Sequence, residues 1–380
     1  MSASEEFTPF QIAIPTTDLD DLHQRLHAAR WPDELPEVGW DYGIPLQVTQ
    51  DLAAYWRAGF DWRAWEARLN AFPQYQTTID GQNVHLLHVR SPEPDALPLI
   101  LTHGWPGSIV EFIDIIGPLT DPRAHGGDPA DAFHVVAPSI PGFTLSGHTH
   151  ERGWDVRRIA QAWQVLMARL GYERYGAQGG DWGSAITRDL GLLAPERVVG
   201  VHLNYLRINP PAVDVPLQPG EAARIAKLQQ YNASVPGYIG IQSTKPQTLA
   251  YGLTDSPAGQ LAWIAEKFHA WSDPRTPIDR DHLLTNISLY WFTRTAGSSA
   301  RIYYESARGR GTPNPCPVPM GVAVFPCDIL QPVRSYAEHV YNIQHWSEFD
   351  RGGHFAALEV PDLLTADIRA FFRPLRDTAS

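Results

Sequence analysis

The sequence predicts an α/β fold: a mostly parallel sheet flanked by helices, preceded by a helical block and interrupted by a helical insertion. Three observations predict it. Short apolar runs of strand length alternate with helical periodicity through the first half of the chain, as strand–helix–strand units do. The run Gly179-Gly180-Asp181-Trp182-Gly183 lies between one such strand and one such helix, with the glycine spacing of a tight strand-to-helix turn. After Leu203 the alternation gives way to helical segments until strand runs resume at Val318.

The elements follow in order. Thr17-Asp18 opens a helix through Leu22, Leu26 and Ala29, which ends near Trp31-Pro32. Further helices are expected over Leu46 to Phe60 and Trp62 to Leu69. Gln76 to Ile79 and Val84 to Val89, joined by Asp80-Gly81, read as two antiparallel strands with a tight turn. Ser91 to Pro98 is a Pro-rich loop, and Leu99 to Thr102 and Phe133 to Ala137 are buried strands. A helix over Val156 to Leu170 precedes the strand Tyr175 to Gln178. Beyond the glycine turn, Ile186, Leu190 and Leu193 share a helix face, and Val198 to Leu203 is the next strand. Residues 207 to about 300 are helical, with joints at Asn209-Pro210-Pro211 and Val235-Pro236-Gly237. Strands at Val318 to Phe325 and Asn342 to Phe349 and an amphipathic helix over Val360 to Phe372 close the chain. The expected units are 1–75 (helical block), 76–206 (first part of the core), 207–300 (lid) and 301–380 (second part of the core).

Composition narrows the function. A net charge of −12 disfavours nucleic acid and anionic membranes as partners. No run approaches the ~20 apolar residues of a membrane span. The polar start Met1-Ser2-Ala3-Ser4-Glu5-Glu6 lacks the pattern of a signal peptide. Two cysteines, Cys316 and Cys327, make no disulfide framework, so a reduced, cytoplasmic setting is expected. The chain carries 13 Trp, 14 Tyr and 14 Phe, enough to line an apolar pocket as well as the core. Nothing in the sequence sets the oligomeric state, and a homodimer stays open.

The glycine turn carries the chemistry. Its central position holds Asp181, where Ser is usual in this Gly-x-nucleophile-x-Gly spacing. Ser attacks acyl carbon. A carboxylate attacking sp³ carbon leaves an ester that water can cleave, so Asp181 points to epoxide opening or dehalogenation. Such a nucleophile needs a base, an acid to orient it and oxyanion donors. His354, on the glycine loop after the last strand, is the expected base, although most of the 15 His must be structural. Asp328, at the end of the strand after the insertion, is the expected orienting acid, with Glu348 and Asp350 as rivals. The run His103-Gly104-Trp105-Pro106-Gly107-Ser108 follows the Leu99 strand, so the amides of Trp105 and Trp182 are the expected oxyanion donors. A neutral Tyr suits the protonation of a leaving alkoxide. The residues alone do not choose among Tyr231, Tyr238, Tyr251, Tyr290, Tyr303 and Tyr304. His148-Thr149-His150 lacks a third ligand nearby and reads as a loop, so neither metal nor cofactor is expected.

With these motifs in place the chain resembles the microsomal-type epoxide hydrolases of the α/β-hydrolase fold, including juvenile hormone epoxide hydrolases and soluble bacterial relatives. The likeness runs through Arg30-Trp31-Pro32, Phe60-Asp61-Trp62-Arg63 and Leu69-Asn70, then His103 to Ser108 and Gly179 to Ser184. It continues through Tyr238 to Pro246, Leu253 to Gly259, Leu284 to Ile287 and Ala300 to Tyr303, and closes with Phe325 to Asp328 and Arg351 to Glu359. It implies a mostly parallel eight-stranded sheet with helices on both faces, an inserted lid and an N-terminal meander. It also implies Tyr238 and Tyr303 as ring-opening donors, with Tyr304 the neighbour to be told apart. Trp105, Trp182 and Phe355 are the side chains expected against the substrate, a bulky, apolar, aryl-substituted epoxide. Two departures stand out: no counterpart of the animal members' membrane anchor is read here, so a soluble protein is expected, and the orienting acid is Asp where mammalian members carry Glu. The rival readings are a haloalkane-type dehalogenase on the same triad, an inactive binding scaffold and a Ser esterase. The last is disfavoured by Asp at the turn.

Overall fold

A computed structural model describes residues 7–234, 236–309 and 315–376. Residues 1–6, and Val235 of the second expected lid joint, lie outside the described residues. The apolar runs become nine strands: β1 (Thr8–Pro9), β2 (Gln74–Ile79), β3 (Gln82–Val89), β4 (Leu97–Thr102), β5 (Phe133–Pro138), β6 (Tyr175–Gly179), β7 (Val198–Leu203), β8 (Met320–Val324) and β9 (Ile343–Glu348). They form one sheet in the order β1-β2-β3-β5-β4-β6-β7-β8-β9. From β5 to β9 every pairing is parallel, while β1, β2 and β3 add on antiparallel. The eight expected strands are therefore joined by a two-residue ninth, too short and too exposed to leave an apolar pattern. The β2–β3 turn is Asp80-Gly81, both at positive φ (51° and 73°), as a two-residue hairpin turn requires. Strand β4 starts at Leu97, inside the expected Pro-rich loop, because Leu97 and Pro98 already pair with Phe133 and His134.

The helices sort into three groups. The N-terminal α1 (Thr16–His27), α2 (Leu46–Ala58) and α3 (Trp62–Asn70) precede the sheet. Helix α3 starts where the Asp61 carboxylate accepts the Ala64 amide. Helix α4 (Ile113–Thr120) follows β4, and α5 (Val156–Arg169) and α6 (Trp182–Leu193) flank β6. Between β7 and β8 come α7 (Glu221–Ala233), α8 (Gly237–Thr244), α9 (Pro246–Asp255), α10 (Pro257–Trp271), α11 (Arg280–Thr293), α12 (Ala296–Ser299) and α13 (Arg301–Ser306). The chain ends with α14 (Arg334–Val340), α15 (Ala356–Glu359) and α16 (Pro361–Phe372). One apolar cluster joins Leu22, Leu26 and Trp56 of the N-terminal helices, Ile100 and Val201 of the sheet and Leu261, Ile287 and Tyr290 of the insertion. A second packs α4 and α16 on the other face of the sheet. Among the described residues no helix is long and apolar enough to cross a membrane.

Candidate active site

The parallel strands deliver their C-terminal ends to one edge of the sheet, where ligands bind in open α/β folds. Strand β6 ends there in the glycine turn, and Asp181 sits at its apex with φ 50° and ψ −126°. This is a strained backbone for a non-glycine residue. The turn is so tight that a Cβ on Gly183 would lie 1.9 Å from the Thr102 carbonyl oxygen. Sequence there is dictated by contact: only glycine lets α6 start this close to β4.

The two oxygens of Asp181 face different partners. Oδ1 accepts the Trp105 amide at 2.8 Å. Oδ2 lies 3.3 Å from His354 Nε2. On the far side of the ring, His354 Nδ1 is 2.6 Å from Asp328 Oδ1. The His354 and Asp328 side chains are 2% and 4% exposed, so the pair is screened by almost no water. Burial alone would push the His354 imidazole down. The charges of Asp328 and Asp181 outweigh it and hold the ring protonated up to about 10. The rivals to Asp328 point elsewhere: Glu348 pairs with Arg224, and the Asp350 carboxylate is exposed beside Arg351.

The loop after β4 is held from both sides. His103, buried and kept neutral with its pKa lowered to about 4 by desolvation, accepts the Ile140 amide on Nε2 at 3.2 Å. From the insertion, Asn286 Nδ2 donates to the Pro106 carbonyl at 2.8 Å and the Tyr290 hydroxyl to that of Gly107 at 2.7 Å. Helix α11 thus holds the loop just beyond the Trp105 amide. Trp182 opens α6, where backbone amides have no helical acceptor and the helix dipole is positive.

Above the carboxylate stands an aromatic box. Tyr238 stacks on Trp105 with ring centres 5.4 Å apart. Tyr303 meets Trp182 edge-on at 4.8 Å, Trp105 at 5.7 Å and Tyr238 at 5.9 Å. Desolvation pushes both phenols well above their ordinary value, so both stay neutral donors. The other tyrosines have different occupations. Tyr304 turns away beneath Arg308, Tyr251 is exposed, and Tyr290 is spent on the Gly107 carbonyl. Tyr231 lies beside the Tyr238 phenol. Phe355 is buried, stacked on Phe268 at 4.1 Å and edge-on to His354 at 5.2 Å. His148 of the His-Thr-His run contacts the Arg294 carbonyl at 3.0 Å.

Several site residues escaped sequence reasoning. Trp271, the last residue of α10, meets the rings of His354, Tyr238, Trp105 and Phe355. Nothing in its sequence context marks it. Glu111 sits below Gly107, near His354 and Asp181. Its carboxyl is pushed up to about 8, chiefly by desolvation. An acid inside the apolar run Ile109 to Ile116 was the available signal.

Comparison with known proteins places the chain among relatives. A family model described as epoxide hydrolase N terminus matches residues 7–112, and one described as alpha/beta hydrolase fold matches residues 98–232. A protein of Stigmatella aurantiaca, named as a candidate epoxide hydrolase, is 48% identical over 97% of this chain and 85% of its own length. Epoxide hydrolase 1 of Sus scrofa is 35% identical over 97% of this chain and 88% of its own. The solved epoxide hydrolase of Aspergillus niger superposes with a TM-score of 0.86 at 33% identity, covering 97% of this chain and 96% of that one. The juvenile hormone epoxide hydrolase of Bombyx mori gives 0.88 at 29% identity over 98% and 96%. On identity, coverage and fold together, the chain belongs to the epoxide hydrolases built on the α/β-hydrolase fold.

Proposed function

We propose that this epoxide hydrolase converts an apolar, aryl-substituted epoxide and water into a vicinal diol through an ester on Asp181. The observation that carries the reading is the division of labour between the two Asp181 oxygens. Oδ1, bonded to the Trp105 amide, is preorganised as the carbonyl oxygen of an ester. Oδ2, facing His354 and bound by no amide, is the attacking atom.

The steps balance as follows. Oδ2 attacks a ring carbon and the ring C–O bond breaks. Tyr238 and Tyr303 hydrogen-bond the ring oxygen, and one of them supplies its proton. Ester formation removes the Asp181 charge, so the His354 imidazolium loses one of the two carboxylates that keep it protonated, returns its proton to the tyrosinate and becomes a base. A water gives its proton to Nε2 and attacks the ester carbonyl carbon. The Trp105 and Trp182 amides hold the resulting oxyanion, and Asp328 holds the imidazolium. Collapse passes the hydroxyl proton of the intermediate to the departing oxygen, releases the diol and restores the carboxylate, one of whose oxygens now comes from water. The indoles of Trp105 and Trp182, the two phenols and Phe355 form an aromatic wall that suits an aryl group.

The test is intact mass and peptide mapping of His354→Gln after exposure to styrene oxide and, separately, to a 1-haloalkane. The expected result is an adduct of the whole epoxide on Asp181, stable because its hydrolysis is blocked. An adduct on another residue, or one formed only from the haloalkane, would overturn the mechanism.

A further inference from the structure

The peptide that carries His354 is gripped by the lid through two acidic side chains that the mechanism above does not use. Four hydrogen bonds make the grip. The His354 amide donates to the Trp271 carbonyl at 2.8 Å. The Gly352 amide donates to Asp273 Oδ2 at 2.9 Å. Glu359 then spans both elements: Oε1 accepts the Phe355 amide at 2.9 Å and Oε2 the Asp273 amide at 2.7 Å. Asp273 is itself fixed by Arg275, which also reaches the Asp350 carbonyl at 2.7 Å. The fit leaves no slack, because a Cβ on Gly353 would stand 2.5 Å from the Trp271 carbonyl oxygen and 3.0 Å from Glu359 Oε2.

The residues on either side of the clamp are the reactive ones. Asp273 is two residues beyond Trp271, whose ring packs on both His354 and Tyr238. Phe355 and Gly352 bracket the base itself. The Asp273 side chain is fully buried and Glu359 is buried, and each of the four bonds of the grip uses a backbone amide. Two buried carboxylates would be costly to keep for packing alone. Their arrangement makes sense as a device that fixes the direction of an imidazole.

We propose that Glu359 and Asp273 are positioning residues that lock the end of lid helix α10 to the His354 loop, so that seating the lid and aligning the base for ester hydrolysis are one event. The proposal rests on the two-step mechanism proposed above and assigns the clamp to its second step. Ester formation needs Asp181 and the two phenols, to none of which the clamp is hydrogen-bonded. Hydrolysis needs His354 Nε2 within reach of a water and of the ester carbon, where a displacement of about 1 Å costs on the order of 10²-fold.

The experiment is single-turnover kinetics with styrene oxide, following adduct formation and decay by rapid quench and intact mass. The proteins are the parent, Glu359→Gln and Arg275→Met. Glutamine keeps the shape of Glu359 but cannot accept two amides. Arg275 is a 60% exposed side chain whose loss spares the fold while freeing Asp273. The expected result is an ester-decay rate constant lowered about 10- to 100-fold in Glu359→Gln, and less in Arg275→Met, with ester formation within about threefold of the parent and the adduct accumulating. Equal loss in both steps, or no loss in either, overturns the clamp while leaving the mechanism standing. No adduct in the parent, with diol still produced, overturns the two-step mechanism and the clamp with it. A Glu359→Gln protein that fails to fold leaves the decision to Arg275→Met, where unchanged ester decay overturns the proposal.

Discussion

At the scale of single residues, the two-step mechanism proposed above makes the charge state of His354 decide which half of the reaction responds to pH. In the free protein its folded pKa is raised to about 10 although burial opposes the shift, because Asp328 and Asp181 both favour the imidazolium. In the ester only Asp328 remains charged beside it. The group that must be neutral to accept a proton therefore titrates lower in the intermediate than in the free protein. Ester hydrolysis is expected to rise with pH and to level off at a pKa below about 10, while ester formation stays flat from about pH 6 to about pH 9. Rapid-quench measurement of the two rate constants across that range checks the sign. A hydrolysis step that falls as pH rises would remove His354 from the role of base. The juxtaposition of these three candidate residues was legible in sequence, because Asp181, His354 and Asp328 each lie at the end of a recognisable strand or on a glycine loop. Trp271 and Asp273 were not. Their importance comes from the fold bringing residue 271 beside residue 354, which no local pattern encodes.

At the scale of elements, the junction of β6 and α6 shows how geometry selects sequence. The carbonyl of Thr102, the last residue of β4, occupies the space a side chain at position 183 would need. Gly183→Ala should destabilise the protein by about 3 kcal/mol and lower activity further by moving Asp181 from the Trp105 amide. Chemical denaturation alongside diol formation checks both effects, and a protein of parent stability would mean the turn can relax. The strands and long helices could be read because burial imposes period and length on their residues. Three features could not. Strand β1 has two residues, α4 carries Pro118 in a sequence that otherwise signals a break, and β4 begins with Leu97-Pro98 at the edge of a turn-rich stretch. In each case pairing or packing with distant residues overrides a local signal.

At the scale of the whole molecule, the N-terminal helices, the lid and the sheet share one core, and this decides how the protein comes apart. The Trp56 indole on α2 donates to Ser288 on α11 at 2.9 Å and is 1% exposed. The Tyr55 hydroxyl bonds Asp281 at 2.8 Å, and Arg25 on α1 bonds the Asp255 carbonyl at 2.9 Å. Helix α11 in turn holds the Pro106 and Gly107 carbonyls next to the Trp105 amide. A chain of contacts therefore runs from the first helix to the loop that carries the Trp105 amide. A chain of this length with separable domains would unfold in steps. Here no boundary between apolar cores lies between the N-terminal helices and the lid, so one cooperative transition is expected, with activity, near-ultraviolet and far-ultraviolet signals lost together. Trp56→Ala leaves a large cavity and an unpaired Ser288 hydroxyl at the junction, which should cost about 3–5 kcal/mol. Because the junction belongs to the common core, that cost should move the whole transition to lower denaturant rather than release the lid ahead of the sheet. An early loss of activity with far-ultraviolet signal retained would show instead that lid and N-terminal helices form a unit of their own, and that the shared core is weaker than its contacts imply.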